Sequence, residues 1–531
     1  MTYGNINAII LAAGFGMRLV PINHKLPKAL LCVNGKPLIE QQIEYLLEAG
    51  ISEIHIVVGF MSERFYYLID KYNVHIIENN QFAEKNNLYS LSLAACHLKS
   101  TYIIPGDVWC KYNPYLCNKG NSWYMVSNKV DNDSCVRIDE NNKLIKISPK
   151  IGGNSMLGIC YLNERDACFV RNRIVSMIRD NSYDNEFWEV ALDNGKQFLV
   201  NGMSVSCSDF VEINTYEQFR NLDANSEQLK SEAIEIISKA LCINTEDITD
   251  IKVLKKGMTN RSFLFSCDNE KYIMRIPGEG TDQLINRSQE ADVYDKIGSK
   301  EICDDIIYIN RDNGYKISKF INDSRTCDPS NYKDVKKCMQ KVRELHNLNL
   351  CVGHEFDVFN QIEFYESLWD GGKSCFKDYE KTKAHIFSLR SYIEKYTEKK
   401  VLTHIDAVPD NFLIYKSDSN EEKIRLIDWE YAGMQDPHVD IAMFCIYSLY
   451  NKRRIDKTID AYFENQCPEY IRLKIYCYVA VCGLLWSNWC EYKRLLGVEF
   501  GKYAKCQYKY AKDYYRLVEK IMSEAESNSF K

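Results

Sequence analysis

Two groups of residues have the types and spacing that phosphate chemistry requires, and they lie far apart in the chain. The first is a glycine-rich run at residues 8–18, followed by Lys28. Glycines let backbone N–H groups surround a phosphate, and a lysine neutralises its charge. The second contains His404, Asp406 and Asn411 in the order H-x-D-x-x-x-x-N. In that spacing the aspartate can take a proton from an attacking hydroxyl while the asparagine binds Mg²⁺, so the sequence predicts two phosphate-handling sites.

Alternating strands and helices are predicted around the first group. Apolar, β-branched runs predict strands at residues 8–11, 54–58, 74–77 and 102–104, and helical periodicity marks residues 38–49 and 62–71. This alternation predicts an α/β domain with a Rossmann-like, largely parallel sheet. A polar stretch at residues 221–230 has no strand pattern and is expected to be a junction. The first domain is therefore predicted to cover residues 1–225.

A different order of elements is predicted after the junction. Strands are expected at residues 251–254, 263–267 and 272–276 with turns at 256–257 and 268–269, helices dominate from 332, and short strands follow at 401–403, 412–415 and 424–427. A small β lobe (about 232–325) followed by a helical lobe (about 326–531) is the outline of a kinase. Residues 232–531 are therefore predicted to form a two-lobed, kinase-like α+β domain.

Composition limits the class of protein. With 531 residues the chain is long enough for two or three domains, and its net charge of -6 argues against a nucleic-acid binder that relies on counterion release. No run of about 20 apolar residues could span a bilayer, and no signal peptide is recognisable. The 21 cysteines include no C-x-x-C pair, which argues against zinc ribbons and favours a reducing compartment. We expect a soluble cytoplasmic protein with small-molecule substrates, and the sequence leaves homo-oligomer formation open.

The glycine-rich run resembles the sugar-phosphate and choline-phosphate nucleotidyltransferases, whose pattern is L-A-A-G-x-G-x-R followed by P-K. Residues 85–94 also resemble the N-N-I-Y-S segment of the bacterial CTP:phosphocholine cytidylyltransferases, and the resemblance covers roughly the first 220 residues. It implies that Arg18 and Lys28 are catalytic. It further implies that CTP is held by Leu11, Ala12, Ala13, Gly14, Gly16 and Asn87.

The same resemblance implies a metal site and an acceptor site. Asp107, after a predicted strand, matches the magnesium-binding aspartate of the family. The second metal ligand is open between Glu212 and Asn214, because Glu-Ile-Asn stands where the family has E-I-D. Trp188 and Glu189 resemble an element near the acceptor, where an aromatic face beside a carboxylate suits a trimethylammonium group. Burial of Trp188 in the core is the alternative.

The second group resembles choline kinase and its aminoglycoside-phosphotransferase relatives over roughly residues 232–500. Asp428 follows a predicted strand as the metal-binding aspartate of D-F-G does, but D-W-E replaces D-F-G and no A-P-E follows, so a protein kinase is not expected. The resemblance implies that Asp406 is the catalytic base and that Asn411 and Asp428 bind Mg²⁺. ATP would be held by Gly257, Thr259, Asn260 and Arg275, which replaces the usual strand lysine and pairs with Glu290.

Aromatic residues downstream predict the substrate pocket. Trp486, Trp489 and Tyr492 recur at helical spacing and resemble the helix that lines the choline pocket of this family. Glu430 and Tyr431 could complete a cage for a quaternary ammonium group. An ordinary core stripe is the alternative reading of these aromatic residues. Trp429 is expected to pack beneath the metal-binding loop rather than to contact substrate.

Together these expectations predict a bifunctional, magnesium-dependent enzyme. The kinase half would phosphorylate choline with ATP, and the N-terminal half would condense phosphocholine with CTP to give CDP-choline and pyrophosphate. One alternative keeps both reactions but uses ethanolamine or another amino alcohol. Another alternative makes one half a non-catalytic regulatory or binding module.

Overall fold

The computed structural model describes residues 6–14, 19, 21, 26–116, 120–132, 134–148, 151–195, 197–254, 260–278, 281, 283–369, 371–417, 419–496 and 500–529. The chain divides into two compact units. One contains residues 1–255 and 263–268, and the other contains residues 256–262 and 269–531. The domain boundaries at residues 225 and 232 stay a prediction.

The described strands are numbered in chain order. They are β1 (Asn7–Ala12), β2 (Cys32–Val33), β3 (Lys36–Pro37), β4 (Glu53–Val58), β5 (His75–Glu78), β6 (Thr101–Pro105), β7 (Val108–Cys110), β8 (Trp123–Asp131), β9 (Val136–Ile138), β10 (Lys143–Lys146), β11 (Gly153–Leu162), β12 (Gln197–Val205), β13 (Phe210–Glu212), β14 (Thr249–Val253), β15 (Asn260–Cys267), β16 (Glu270–Pro277), β17 (Ile306–Ile309), β18 (Lys316–Lys319), β19 (Arg325–Thr326), β20 (Val401–Thr403), β21 (Phe412–Lys416), β22 (Glu422–Leu426) and β23 (Gly433–Gln435).

The described α-helices are numbered in the same way. They are α1 (Leu38–Glu48), α2 (Tyr67–Tyr72), α3 (Asn87–Leu93), α4 (Glu164–Met177), α5 (Tyr216–Leu222), α6 (Glu232–Leu241), α7 (Arg287–Ile297), α8 (Tyr332–Asn347), α9 (Val358–Ser367), α10 (Tyr379–Ser388), α11 (Arg390–Lys395), α12 (His438–Tyr447), α13 (Lys452–Tyr462), α14 (Glu469–Leu495) and α15 (Lys502–Ser529). Among the residues that the structure describes, no helix has an apolar stretch long enough to cross a membrane.

The first unit is built on a nine-stranded sheet in the order β5-β4-β1-β6-β11-β8-β12-β10-β9. The four strands predicted from the sequence are confirmed as β1, β4, β5 and β6, and they pair in parallel. The other five strands lacked a clear sequence pattern. They make the sheet mixed, since β11 pairs antiparallel with both β6 and β8. The predicted helix at 38–49 is confirmed as α1, whereas residues 62–71 form a short 3-10 helix and then α2.

Both faces of this sheet are buried. Neighbouring residues of β1 point to opposite faces, so that Ile10 belongs to a core with Ile39 of α1 while Ile9 belongs to a core with Leu91 of α3. Because helices cover both faces of the sheet, a ligand can approach it at the ends of the strands. In such sheets ligands bind at the carboxyl ends of the parallel strands, which is where the glycine-rich run begins.

The second unit contains a small antiparallel sheet and a larger helical part. β16 pairs with β18, which pairs with β17, and α7 follows β16 in the chain. The predicted strands at 401–403, 412–415 and 424–427 are confirmed as β20, β21 and β22, and β21 and β22 form a hairpin. Asp268 and Asn269 both have positive φ, as expected for the predicted turn there, while the turn at 256–257 lies outside the described residues. α14 is buried along most of its length and packs with α12 and α15.

Candidate active sites

A cavity of about 700 Å³ lies at the carboxyl ends of β1 and β6 in the first unit. Nothing stands within 4 Å of the position that a Cβ of Gly14 would take, so the backbone there is open to a ligand. Gly16 and Arg18 lie outside the described residues. The other residues predicted for this site all line the cavity: Leu11, Ala12, Ala13, Gly14, Lys28, Asn87, Asp107, Trp188, Glu189, Glu212 and Asn214.

Lys28 contacts two of the candidate metal ligands. Its Nζ donates to Asp107 Oδ2 and to Asn214 Oδ1, the latter over 2.8 Å. The pairing of β13 with β7 brings the two acceptors together, and Ile213 N donates to the carbonyl of Asp107 over 3.0 Å. Asn214, which stands where the family has an aspartate, is thus hydrogen-bonded to Lys28.

Asp107 is suited to a hard divalent cation. Its Oδ1 is buried and has no hydrogen-bond partner among the described residues, while Oδ2 is taken by Lys28. A buried carboxylate oxygen without a donor is costly unless a cation or water satisfies it. Oxygen ligands at this edge fit Mg²⁺ bound to nucleotide phosphates, and Glu212 lines the same cavity.

A carboxylate and two aromatic rings form another wall of the cavity. Tyr124 donates to Glu189 Oε1 over 2.8 Å, while Glu189 Oε2 is buried and unpaired among the described residues. Burial raises the pKa of Glu189 to about 7. Trp188 is 1% exposed and lies in the core, yet it also lines the cavity. Its backbone N–H donates to Asn87 Oδ1 over 2.7 Å. Sequence reasoning missed Tyr124, because β8 has no recognisable motif.

Gly106 lets the lysine-bearing segment pack against the end of the sheet. A Cβ at this position would lie 2.9 Å from Ala29 Cβ and 3.1 Å from Ala12 Cβ. Neither neighbour can move by itself, because one is next to Lys28 in a short 3-10 helix and the other ends β1. Because residue 106 is a glycine, the segments that carry Lys28 and Asp107 can pack closely together in this arrangement.

In the second unit, Asp406 and Asn411 form one hydrogen-bonded loop. Asn411 Nδ2 donates to Asp406 Oδ2 and to the carbonyl of Asp406, each over 2.9 Å. This leaves Oδ1 of Asn411 as the oxygen available to a cation. Burial, followed by the charge of Glu430, raises the pKa of Asp406 to about 7, so this aspartate is a stronger base than usual.

The loop is held in a strained conformation by Asp440, which sequence reasoning missed. Ile405, immediately before the base, has φ +67°, a conformation that disfavours β-branched residues. Asp440 Oδ1 accepts from the N–H of Ile405 over 2.7 Å, and its Oδ2 accepts from the N–H of His404 over 3.0 Å. His346 Nε2 contacts the same Oδ2 over 2.9 Å. Asp440 thus fixes the backbone that presents Asp406.

Asp428 is tied to this loop through the preceding residue. His404 is fully buried and donates from Nε2 to the carbonyl of Ile427 over 3.0 Å. The ring of His404 packs on Trp429, 4.5 Å between centroids, and Trp429 is 0% exposed. The prediction that Trp429 packs beneath the metal-binding loop is confirmed. Burial and then the charge of Glu430 raise the pKa of Asp428, which a bound cation would offset.

The predicted ion pair of Arg275 with Glu290 is confirmed, with 2.8 Å between Nη2 and Oε2. Arg275 Nη2 also donates to the carbonyl of Gly314 over 3.0 Å, and Nη1 lies 3.6 Å from Asp428 Oδ1. A second arginine, Arg287 of α7, contacts Glu290 as well, over 3.0 Å. Gly257 and Thr259 lie outside the described residues.

Glu430 takes part in a buried polar network. Its Oε2 accepts from Asn260 Nδ2 over 2.9 Å and from Arg287 Nη1 over 3.1 Å, and the suggestion that Glu430 could complete the aromatic cage stays a prediction. A buried carboxylate needs such donors, and two of them come from residues far away in the sequence. We assign Glu430 to this polar network, in which Asn260 of β15 also takes part.

The predicted aromatic residues do meet. The ring centroids of Tyr431 and Trp486 are 5.9 Å apart and those of Trp486 and Trp489 are 5.4 Å apart, both edge to face. Tyr492 lies one turn further along α14, and its hydroxyl contacts Gln283 Oε1 over 3.4 Å. Trp489 and Tyr492 are buried while Trp486 is half-buried, so Trp486 is the ring with most access to a ligand.

Comparisons with known proteins match both parts of the chain. Residues 8–110 match the family model of the MobA-like NTP transferase domain, and residues 251–509 match that of choline/ethanolamine kinase. The chain is 35% identical over 236 residues to the choline-phosphate cytidylyltransferase of Streptococcus pneumoniae, which is 43% of this chain and 100% of that protein. The chain belongs to the choline-phosphate cytidylyltransferase family. The match of residues 251–509 to choline/ethanolamine kinase means that both parts of the chain match families of enzymes.

Two further proteins are similar to parts of the chain. The 2-aminoethylphosphonate cytidylyltransferase of Lancefieldella rimae is 30% identical over 197 residues, 35% of this chain and 79% of that protein. The crystal structure of choline kinase LicA from Streptococcus pneumoniae is 27% identical, covers 54% of this chain and 99% of its own, and has a TM-score of 0.47. The predicted fold class and the resemblance of the chain to both families are confirmed.

Proposed function

We propose that the chain makes CDP-choline in two consecutive reactions. ATP-dependent phosphorylation of choline in the second unit would supply the phosphocholine that the first unit joins to CTP. The observation that carries this proposal is that each site sets aromatic rings beside phosphate-handling residues. In the first unit, Trp188 and Tyr124 line the same cavity as Lys28. In the second unit, Tyr431 packs on Trp486. Burial raises the pKa of the Tyr431 phenol, and so do nearby charges that include Asp406.

In the kinase reaction Asp406 acts as the general base. It accepts the proton of the choline hydroxyl as that oxygen bonds to the γ-phosphorus of ATP and the bond to ADP breaks. The hydrogen bond from Asn411 orients the carboxylate, and the raised pKa of Asp406 favours proton uptake near neutral pH. Arg275 is held by Glu290 and would contact the phosphates of ATP.

In the cytidylyl reaction no covalent intermediate is needed. A phosphate oxygen of phosphocholine attacks the α-phosphorus of CTP, and the bond to the leaving pyrophosphate breaks. Lys28 stabilises the charge that develops, and Asp107 and Asn214 hold its Nζ in place. Trp188, Tyr124 and Glu189 would receive the trimethylammonium group.

Both sites have residues that fit Mg²⁺. Asp107 with Glu212 would hold it in the first unit, and Asn411 with Asp428 would hold it in the second. When bound, Mg²⁺ neutralises phosphate charge and orients the leaving group.

A second candidate substrate is a primary amine such as phosphoethanolamine or an aminophosphonate. The unpaired Oε2 of Glu189 favours it, because a primary ammonium can donate a hydrogen bond to a carboxylate and a quaternary one cannot. One relative is named a 2-aminoethylphosphonate cytidylyltransferase, so 2-aminoethylphosphonate is the aminophosphonate to test.

The test is a set of assays on the full chain with Mg²⁺. ADP release is measured with choline and ethanolamine, and pyrophosphate release from CTP is measured with phosphocholine, phosphoethanolamine and 2-aminoethylphosphonate. The proposal expects the highest kcat/KM for choline and phosphocholine. A preference for the primary amines in both assays would favour the second candidate. Turnover in only one assay by folded protein would make the other half a regulatory module.

A further inference from the structure

Three of the nine histidines of the chain lie close together at the amino ends of the parallel strands in the first unit, whereas the cavity lies at their carboxyl ends. His55 of β4 is the register partner of His75 of β5. His97 ends a 3-10 helix just before β6. The ring centroids of His55 and His97 are 3.8 Å apart, and those of His55 and His75 are 5.1 Å apart. Such a concentration of imidazoles is not required by the chemistry of the cavity.

A carboxylate completes this group. Glu53 stands two residues before His55 on β4, so both side chains point to the same face of the strand. Glu53 Oε1 lies 3.3 Å from His55 Nε2. One ligand atom from each of Glu53, His55 and His97 can be chosen so that all three lie within 4.8 Å of one another.

We propose that Glu53, His55 and His97 form a binding site for a divalent transition-metal ion of the zinc class. Two imidazole nitrogens and one carboxylate oxygen are a common donor set for such an ion, whereas Mg²⁺ prefers oxygen ligands alone. The rings of His55 and His97 are stacked with an interplanar angle of 24°, so their nitrogens do not yet converge. Binding therefore requires the half-exposed ring of His97 to rotate towards His55.

Neighbouring residues hold the carboxylate and the histidine segment in place. Lys99 Nζ donates to Glu53 Oε2 over 2.7 Å, which leaves Oε1 on the side of His55. Asn7 Nδ2 donates to the carbonyl of His97 over 2.8 Å and contacts Glu53 Oε1 over 3.3 Å. Outer contacts of this kind orient the ligands of metal sites.

The position of the group indicates a structural role for the ion. The three residues lie at the amino ends of the parallel strands, whereas the cavity lies at the carboxyl ends. An ion bound there would tie β4 to the segment that precedes β6. We therefore expect it to raise the melting temperature more than it changes either turnover number.

The test uses the full-length chain in excess Mg²⁺, with Co²⁺ and then Zn²⁺ as probes. The expected result is about one equivalent of Co²⁺ with a visible spectrum of nitrogen and oxygen ligands, displacement by Zn²⁺, and a higher Tm with Zn²⁺. Glu53→Gln and His97→Ala should weaken binding at least about tenfold. His75→Ala, which removes a stacked ring outside the ligand set, should bind as the wild type does.

Several results would overturn the site. The absence of a saturable cobalt spectrum in the wild-type chain would do so, as would equal binding by the wild type and His97→Ala. The neighbouring Cys96 is exposed and could supply a thiolate. A thiolate charge-transfer band that disappears in Cys96→Ala would assign the ion to that cysteine instead. A loss in His75→Ala as large as in His97→Ala would refute the ligand set.

Discussion

Arg287 and Glu430 form a buried ion pair, with 3.1 Å between Nη1 and Oε2. Glu430 lies two residues beyond Asp428, and Arg287 also contacts Glu290, the partner of Arg275. The pair therefore connects the segment of Asp428 to Glu290 and, through Glu290, to Arg275 of β16. Gly314 makes this possible, because a Cβ there would lie 2.4 Å from Arg287 Cδ.

Arg287→Lys should lower kcat/KM for ATP roughly tenfold to a hundredfold, because an ammonium cannot bridge Glu290 and Glu430 as the planar guanidinium does. Steady-state kinase assays measure this, with pyrophosphate release from CTP as the internal reference. Arg311→Lys is the matched control, since Arg311 pairs with Asp292 and Asp295 at an exposed site and should stay within about twofold of wild type. An equal loss of kcat/KM for ATP in Arg287→Lys and Arg311→Lys would show that bridging of Glu290 and Glu430 by Arg287 is not needed for kinase activity.

Removing the proposed general base, Asp406, and the proposed phosphate-binding lysine, Lys28, should separate the two reactions. Asp406→Ala should lower the kinase kcat about 10²–10⁴-fold and leave CDP-choline synthesis from supplied phosphocholine intact. Lys28→Ala should lower cytidylyl transfer about 10²–10³-fold and leave the kinase intact. Each variant is assayed for both activities. If either change abolished both in folded protein, the model of two independent sites would fail.

Gly106→Ala should destabilise the first unit by about 1–3 kcal/mol and lower cytidylyl transfer, because the new methyl group would push Ala29 and Ala12 apart. Chemical denaturation and the CTP assay measure the two effects. Gly298→Ala is the control: nothing lies within 4 Å of its Cβ position and its φ is helical, so it should be neutral or slightly stabilising. An unchanged activity in Gly106→Ala would mean that the cavity tolerates this displacement.

Acidification should weaken the binding of phosphocholine. Since burial raises the pKa of Glu189 to about 7, the carboxylate is charged above this pH and neutral below it, and only the charged form attracts a cation. We expect KM for phosphocholine to rise roughly threefold to tenfold from pH 8 to pH 6. Glu189→Gln should have a high KM at both pH values. A wild-type KM that does not change over this range would exclude Glu189 from cation recognition.

The sequence predicted those parts of each site that are local in the chain. The spacing from Asp406 to Asn411 and the residues that follow β1 and β6 are read directly from short motifs. The missed residues act over long separations: Asp440 holds a loop 36 residues away, and Tyr124 meets Glu189 from a different element. Such contacts depend on packing that no local pattern encodes.

The direction of Glu430 shows the same limit. Its position after Asp428 and Trp429 was predictable, but which way its carboxylate points depends on donors from β15 and α7. A buried carboxylate is oriented by the hydrogen-bond donors that compensate its burial, and these donors need not be near it in the sequence.

The support that Asp440 gives to the catalytic loop has a practical consequence. It binds backbone N–H groups of His404 and Ile405, so this part of the loop is held by contacts that do not involve the Asp406 side chain. Asp406→Asn would leave that scaffold intact while removing the proton acceptor. Such a variant would hold nucleotide and alcohol together without reacting, and so offers a way to capture the ternary complex in a crystal.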